Sequence, residues 1–195
     1  MLRWRRISAT KFLIKNHKPV LDNYRFERKF IIPERLTHSI EEVVKSNSAL
    51  MRKIFCPRFI NNIYFDNSRF KFFFENIDGV SERMKTRIRW YGNLKGKIKK
   101  PVLEFKQKHG LTGSKTSIDL PSFDLKDIYL PGFLPSLFQN SNLDMRKKEL
   151  MLSLTPSLIN RYQRKYFLSF DQKFRITLDH HLKYYPVSSP EQLSS

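Results

Sequence analysis

Arg83-Met84-Lys85-Thr86-Arg87-Ile88-Arg89-Trp90 places a cation at every second position, with mostly apolar residues between. On a β-strand successive side chains point to opposite faces. Arg83, Lys85, Arg87 and Arg89 therefore share one face, and Met84, Ile88 and Trp90 share the other, with Thr86 among them. Same-face neighbours along a strand lie about 7 Å apart, two strand rises. Like charges at that spacing repel unless water, carboxylates or a bound polyanion screens them. The pattern predicts a sheet with one packed face and one face suited to holding phosphate.

The alternation recurs on either side. From Tyr24, Arg25, Glu27 and Lys29 fall on one face and Phe26 and Phe30 on the other, interrupted by Arg28 and ended by Pro33. Residues 60–65 (Ile-Asn-Asn-Ile-Tyr-Phe) read as a second strand, closed by Asp66-Asn67-Ser68, a turn and helix-cap signal. Asp66 fits a helix cap better than a catalytic acid. After the cationic strand, expected over 82–91, the basic stretch 92–100 turns the chain and 101–108 returns as its hairpin partner. There Glu104, Lys106 and Lys108 share one face, Leu103 and Phe105 the other. Gly110 and Gly113 mark a further turn before a strand over 114–120 that carries Lys115. Over 157–168, Asn160, Tyr162, Arg164 and Tyr166 lie together. Over 173–179, Lys173, Arg175, Thr177 and Asp179 oppose Phe174, Ile176 and Leu178. Helical spacing appears over 34–45 through Leu36, Ile40, Val43 and Val44, and a second helix is expected over 143–154. Residues 69–76 form a short aromatic helix or irregular segment, and 121–142 a loop with short helical turns.

The chain has 195 residues, enough for one domain with a core, and 40% of them are apolar, including 17 Phe. Against that core stand 37 Lys+Arg and 18 Asp+Glu, a formal charge of +19. Such an excess calls for an anionic partner: nucleic acid, a phosphorylated small molecule or polymer, or an acidic membrane. Cys56 is the one cysteine, so neither an internal disulfide nor a multi-cysteine zinc site forms. The five histidines show no metal-ligand spacing. No apolar run approaches the roughly 18–20 residues of a membrane span. A cytoplasmic location is expected. Residues 1–21 carry Arg3, Arg5, Arg6, Lys11, Lys15 and Lys18 and read as a solvated basic arm, although transit peptides share that composition. The folded domain is expected over 22–185, and the Pro/Ser-rich 186–195 as a disordered tail.

Five or more strands that each pair an apolar with a charged face, plus helices, give an α+β class with strands dominant. Two arrangements satisfy the pattern. One is an open antiparallel sheet with its charged face in water. The other is a closed antiparallel β-barrel with a polar, ligand-holding interior and covering helices outside. Phe70, Phe72, Phe73 and Phe74 favour covering helices, since they need partners to bury against. Trp90 is expected in the outward core beneath a helix.

Taken in order, Tyr-Arg-Phe-Glu-Arg-Lys-Phe at 24–30, Ile-Tyr-Phe-Asp at 63–66, Arg-Ile-Arg-Trp-Tyr-Gly at 87–92, Leu-Glu-Phe-Lys at 103–106, Arg-Tyr-Gln-Arg at 161–164 and Arg-Ile-Thr-Leu-Asp at 175–179 resemble the VTC domain of the triphosphate tunnel metalloenzyme superfamily. That resemblance implies an antiparallel β-tunnel that makes polyphosphate from ATP with a divalent metal, manganese or magnesium. It implies Lys29, Arg87, Arg89, Lys106, Arg164 and Arg175 as the catalytic phosphate ligands, with Lys115 a looser match. Arg83, Lys85, Lys115 and Tyr162 are the further substrate-binding candidates; Arg83 and Lys85 share the ladder's face but fit the tunnel mouth. Glu27 and Glu104 are candidates either for metal binding or for ion pairs among the cations. Tyr162 and Tyr166 suit packing or hydrogen bonding to phosphate. The family continues into a later strand with a metal-binding glutamate, which is not found here, so the expected barrel is incomplete or is completed by a partner chain.

Three functions compete on this reading. The first is a polyphosphate polymerase, or a triphosphatase of the same superfamily. The second is a non-catalytic module that binds polyphosphate or a related polyanion, favoured by the missing glutamate strand. The third is a basic nucleic-acid binder. That one predicts aromatics interleaved with cations; Trp90 lies on the wrong face for it, whereas Tyr162 and Tyr166 flank Arg164.

Overall fold

The structure, a computed structural model, describes residues 9–16, 27–110 and 112–187. Its strands are β1 (Ala9–Asn16), β2 (Glu27–Pro33), β3 (Arg52–Asp66), β4 (Glu82–Tyr91), β5 (Lys97–Ile98), β6 (Val102–His109), β7 (Thr112–Asp119), β8 (Phe123–Asp124), β9 (Thr155–Leu168) and β10 (Phe174–Tyr185). Its α-helices are α1 (Thr37–Lys45), α2 (Lys71–Ile77), α3 (Phe133–Gln139) and α4 (Met145–Leu152), with 3-10 turns at Glu34–Leu36 and Leu125–Tyr129. The class is α+β, and the pairs β1–β2, β1–β10, β4–β6 and β6–β7 are antiparallel. Among the described residues the main ladder ends at β2 and β7, with no hydrogen-bonded pair closing it.

The cationic strand falls where its alternation places it, over Glu82–Tyr91. Other strands are longer than their periodicity announces. β3 begins at Arg52, across a stretch where Cys56-Pro57 and scattered cations break the alternation. Ala9–Asn16 lies inside the expected solvated arm and is a strand. Its apolar run Phe12-Leu13-Ile14 sits among the cations, Leu13 is buried, and Ile14 packs against the cluster of Val44, Phe167, Ile176 and Leu178. Residues 24–26 and the tail from 188 lie outside the described residues.

The chain comprises two compact units. The first draws on residues up to Ile60 and on Arg161–Lys183. Its core is Val44, Met51, Phe167, Ile176 and Leu178, with Ile40 and Ile14 against it, so α1 covers the apolar face of β10 and β9. Glu41 fixes the helix there: its carboxylate meets Lys165 at 2.5 Å, Lys53 at 2.9 Å and Lys45 at 3.4 Å. Burial raises the Glu41 pKa, but the bonds to Lys165 and Lys53 outweigh it and hold the carboxyl at about 2. His180 is buried nearby, and its Nε2 has no hydrogen-bond partner among the described residues. Burial, with the charges of His181 and Lys165, pushes that imidazole from the usual 6.5 down to about 4.

Both shifts destabilise the fold in acid, over different windows. Below 6.5 the unfolded chain protonates His180 while the folded chain does not until about 4, so stability declines across that interval. The depressed Glu41 contributes stability fully above 4.5 and loses it as pH falls towards 2. The urea midpoint, followed by circular dichroism, is expected to fall from pH 7 to 4.5, and His180→Leu to flatten that decline. A midpoint constant over the interval would contradict the buried neutral imidazole.

The second unit comprises Asn61–Asn160 with the chain from Tyr184 onward. Ile63, Phe65, Ile88, Trp90, Leu103 and Phe105 supply the apolar face of β3, β4 and β6, and Leu137 and Phe138 of α3 and Met151 of α4 lie in the same cluster. Trp90 is buried as expected, and its indole N–H donates to the Asn93 carbonyl at 2.9 Å. Asp66 is a helix cap: its two oxygens accept from the Phe72 and Phe73 backbone N–H groups at 3.0 and 2.9 Å, satisfying the orphan donors that open α2. The Phe cluster departs from expectation. Phe72 packs against the core, while Phe70, Phe73 and Phe74 are about half exposed, because Phe72 and Asn76 turn towards β4 and the others lie on the opposite side of the short helix. No helix among the described residues is long and apolar enough to cross a membrane.

Candidate phosphate-binding site

The antiparallel register turns the alternation of single strands into rows across three. Directly opposed residues share a face, so Arg87 stands beside Glu104 and Ser117, and Lys85 beside Lys106 and Lys115. Met84, Thr86, Ile88 and Trp90 take the core face, which leaves the whole row system on the polar one. Lysines directly opposed across strands raise each other's energy, and a carboxylate or an anionic ligand relieves the cost.

Glu104 is the carboxylate that orders this face. It is only 2% exposed, on the central strand β6. Its Oε2 accepts from Arg87 Nε at 2.8 Å and lies 2.7 Å from Arg87 Nη2. Its Oε1 lies 2.7 Å from Arg89 Nη2 and 2.7 Å from Lys115 Nζ. Arg87 Nη1 also donates to the Tyr64 hydroxyl at 3.4 Å. Burial would raise the Glu104 pKa, but the charge of Arg87, hydrogen bonds from Lys115 and Arg87 and the charge of Arg89 hold it below the usual carboxylate range. One carboxylate thus carries three cations, with Lys85 and Lys106 in the adjoining row. The surplus is positive and preorganised, the electrostatics an oligophosphate requires.

Arg83 behaves differently from its ladder neighbours. Its Nη1 donates to the carbonyls of Val80 at 2.6 Å and Gly79 at 3.3 Å, so the guanidinium ties down the turn between α2 and β4. Glu104 has both oxygens occupied by cations, and no group of three or more His, Cys, Asp or Glu side chains suited to a metal occurs among the described residues. Among the described residues Glu104 therefore serves as an ion-pair partner. The side chain of Glu27 lies outside the described residues.

The remaining candidates belong to the first unit. Arg164 Nε and Nη2 donate to the two oxygens of Asp179 at 2.5 and 2.7 Å, a fork-to-fork pair between β9 and β10. Burial lowers the guanidinium's pKa, and the Asp179 bond outweighs it, so the net shift is upward. Lys29, Leu13 and Thr177 form one cross-strand row, which puts Lys29 on the face that carries Arg175 and Asp179. Arg175 Nε is buried without a hydrogen-bond partner among the described residues. Tyr162 and Tyr166 flank Arg164, at 5.2 and 6.0 Å from ring centre to guanidinium carbon.

A profile of the VTC domain matches residues 24–192, nearly the whole chain. The chain belongs to the VTC-domain family. No curated protein matches it. Seventeen solved chains are similar, among them a putative adenylyl cyclase from Hippeastrum, HpAC1, described as having a dominant triphosphatase activity. That likeness covers 95% of this chain and 82% of the other, at 11% identity and a TM-score of 0.40. In this VTC domain Glu104 takes the ion-pair role that the sequence offered for it, among Arg87, Arg89 and Lys115. Asp179 and Tyr64 stood in strand runs and in the family-like segments with no contact assigned to either, and Glu41 was not singled out. The signal for Asp179 was its place on the same strand face as Arg175.

Proposed function

We propose that this VTC domain binds the triphosphate of a nucleotide and transfers its terminal phosphoryl group to a polyphosphate chain. The observation that carries the proposal is the Glu104 carboxylate holding Arg87, Arg89 and Lys115 together beside the Lys85–Lys106–Lys115 row. Phosphoryl transfer asks little covalent chemistry of a protein. It needs the attacking and leaving oxygens held in line and the charge on the transferred group stabilised. Arginine forks bind phosphate oxygens in pairs, and lysines supply compact charge. A bridge to Glu104 keeps each cation oriented before the anion arrives, so little reorganisation remains on binding. A divalent ion bound to the nucleotide would add to the neutralisation of phosphate charge that these cations supply.

A second reading, a polyphosphate-binding module without turnover, is favoured by one observation: both oxygens of Glu104 are committed to cations, leaving no carboxylate cluster for a metal among the described residues. Incubation with ATP and manganese, resolved on a gel that separates polyphosphate from orthophosphate, decides between them. A polymer ladder lost in Lys106→Ala supports the polymerase, and orthophosphate alone a triphosphatase. Tripolyphosphate binding without turnover would leave the binding module, and neither binding nor turnover by a folded chain would sink both.

A further inference from the structure

On the first unit, aromatic rings and guanidinium groups alternate in a series that phosphoryl transfer does not use up. The Arg58 guanidinium carbon lies 4.6 Å from the centre of the Phe55 ring and 5.2 Å from that of Tyr166. The two rings meet edge to face, their centroids 5.5 Å apart at 86°. The Arg164 guanidinium carbon, fixed by Asp179, lies 6.0 Å from the Tyr166 ring centre. At the open end of the series is Phe55, 49% exposed and followed by Cys56-Pro57. A solitary exposed Phe is ordinary. This one is held by a second ring and a guanidinium, and the series leads to an arginine of the phosphate-binding kind.

We propose that Phe55, Arg58 and Tyr166 form a platform on which the base of the nucleotide stacks, its phosphates directed towards Arg164. The proposal rests on the reading above of this chain as a binder of nucleotide phosphates and concerns the first unit alone. A nucleobase is a flat π-system, and phenyl faces and guanidinium planes are the surfaces on which such rings stack. Covering the exposed ring of Phe55 also removes apolar surface from water. Both Arg58 and Arg164 lie within 6.0 Å of the Tyr166 ring centre, a span that one nucleoside triphosphate bridges. Purines, with the larger π-face, are favoured over pyrimidines. Inorganic tripolyphosphate has no ring and gains nothing from the platform, which separates the base contact from the phosphate contact.

Calorimetric titration of ATP and of tripolyphosphate into the wild-type chain, Phe55→Ala and Phe55→Trp tests this. Phe55→Ala is expected to weaken ATP about tenfold, in the range of base–aromatic stacking, and to leave tripolyphosphate within about twofold. Phe55→Trp should restore ATP affinity, and ATP should exceed CTP. Phe55 is exposed, so the fold survives both substitutions, which circular dichroism confirms. An unchanged ATP affinity in Phe55→Ala, or equal losses for ATP and tripolyphosphate, overturns the platform. Phe55-dependent ATP binding without tripolyphosphate binding sinks the phosphate proposal and leaves the platform standing, whereas binding of neither sinks both.

Discussion

Glu104→Ala is expected to lower the unfolding free energy by about 3 kcal/mol, the low end of the cost of breaking a buried ion pair. The residue is buried, and its two oxygens face Arg87, Arg89 and Lys115. Deleting the carboxylate removes the counter-charge and leaves three cations together, two of them on the same strand. Their partial contact with solvent keeps the effect at the low end. Tripolyphosphate should then raise the melting temperature of Glu104→Ala more than that of the wild type, because the ligand replaces the missing negative charge as well as binding. Thermal unfolding with and without the ligand measures both. A variant as stable as the wild type would show that the cations do not depend on Glu104.

The pH dependence of this group has a definite sign. The Glu104 pKa lies below its usual range in the folded chain, so its contribution is present above the unfolded value and fades as pH falls through the folded one. Replacing Glu104 by Gln keeps the shape and discards the charge, so the variant at neutral pH should resemble the wild type in acid at this site.

Periodicity of two was legible along β4 because each cation there has an apolar neighbour, and the same holds for Glu104 and Lys106 on β6. It failed on β1 and on the start of β3 for two physical reasons. A strand whose charged residues are all basic looks, by charge count, like a solvated arm, and a Pro inside a strand looks like its end. Face membership could be read from one strand, but contact could not. Which carboxylate meets which cation depends on register, and register is set by pairing between strands separated by turns whose exact length the sequence leaves open. Glu104 was therefore visible as a member of the cationic face, while the convergence of Arg87, Arg89 and Lys115 on it followed only from the ladder β4–β6–β7. The exposed Phe55 sits in the part of β3 where alternation broke down, which is why its contacts with Arg58 and Tyr166 were not anticipated.

Lys106→Ala is expected to weaken tripolyphosphate about 10- to 100-fold while changing stability by less than about 1 kcal/mol, the reverse of Glu104→Ala. A charge-assisted hydrogen bond contributes about 1.5–3 kcal/mol, and each 1.4 kcal/mol is a factor of ten in affinity. Lys106 is exposed at the centre of a row with Lys85 on one side and Lys115 on the other. Its removal relieves like-charge repulsion in the unliganded protein and costs at most an exposed interaction, which is worth little. In the complex the same ammonium faces the anion, so the loss falls on binding. Arg146→Ala removes an equal charge from α4, an exposed position on a helix that packs against the apolar face, and should leave tripolyphosphate affinity within about twofold if local geometry rather than net charge sets binding. Equal losses in the two variants would mean that the anion responds to the overall charge of +19 and not to the row.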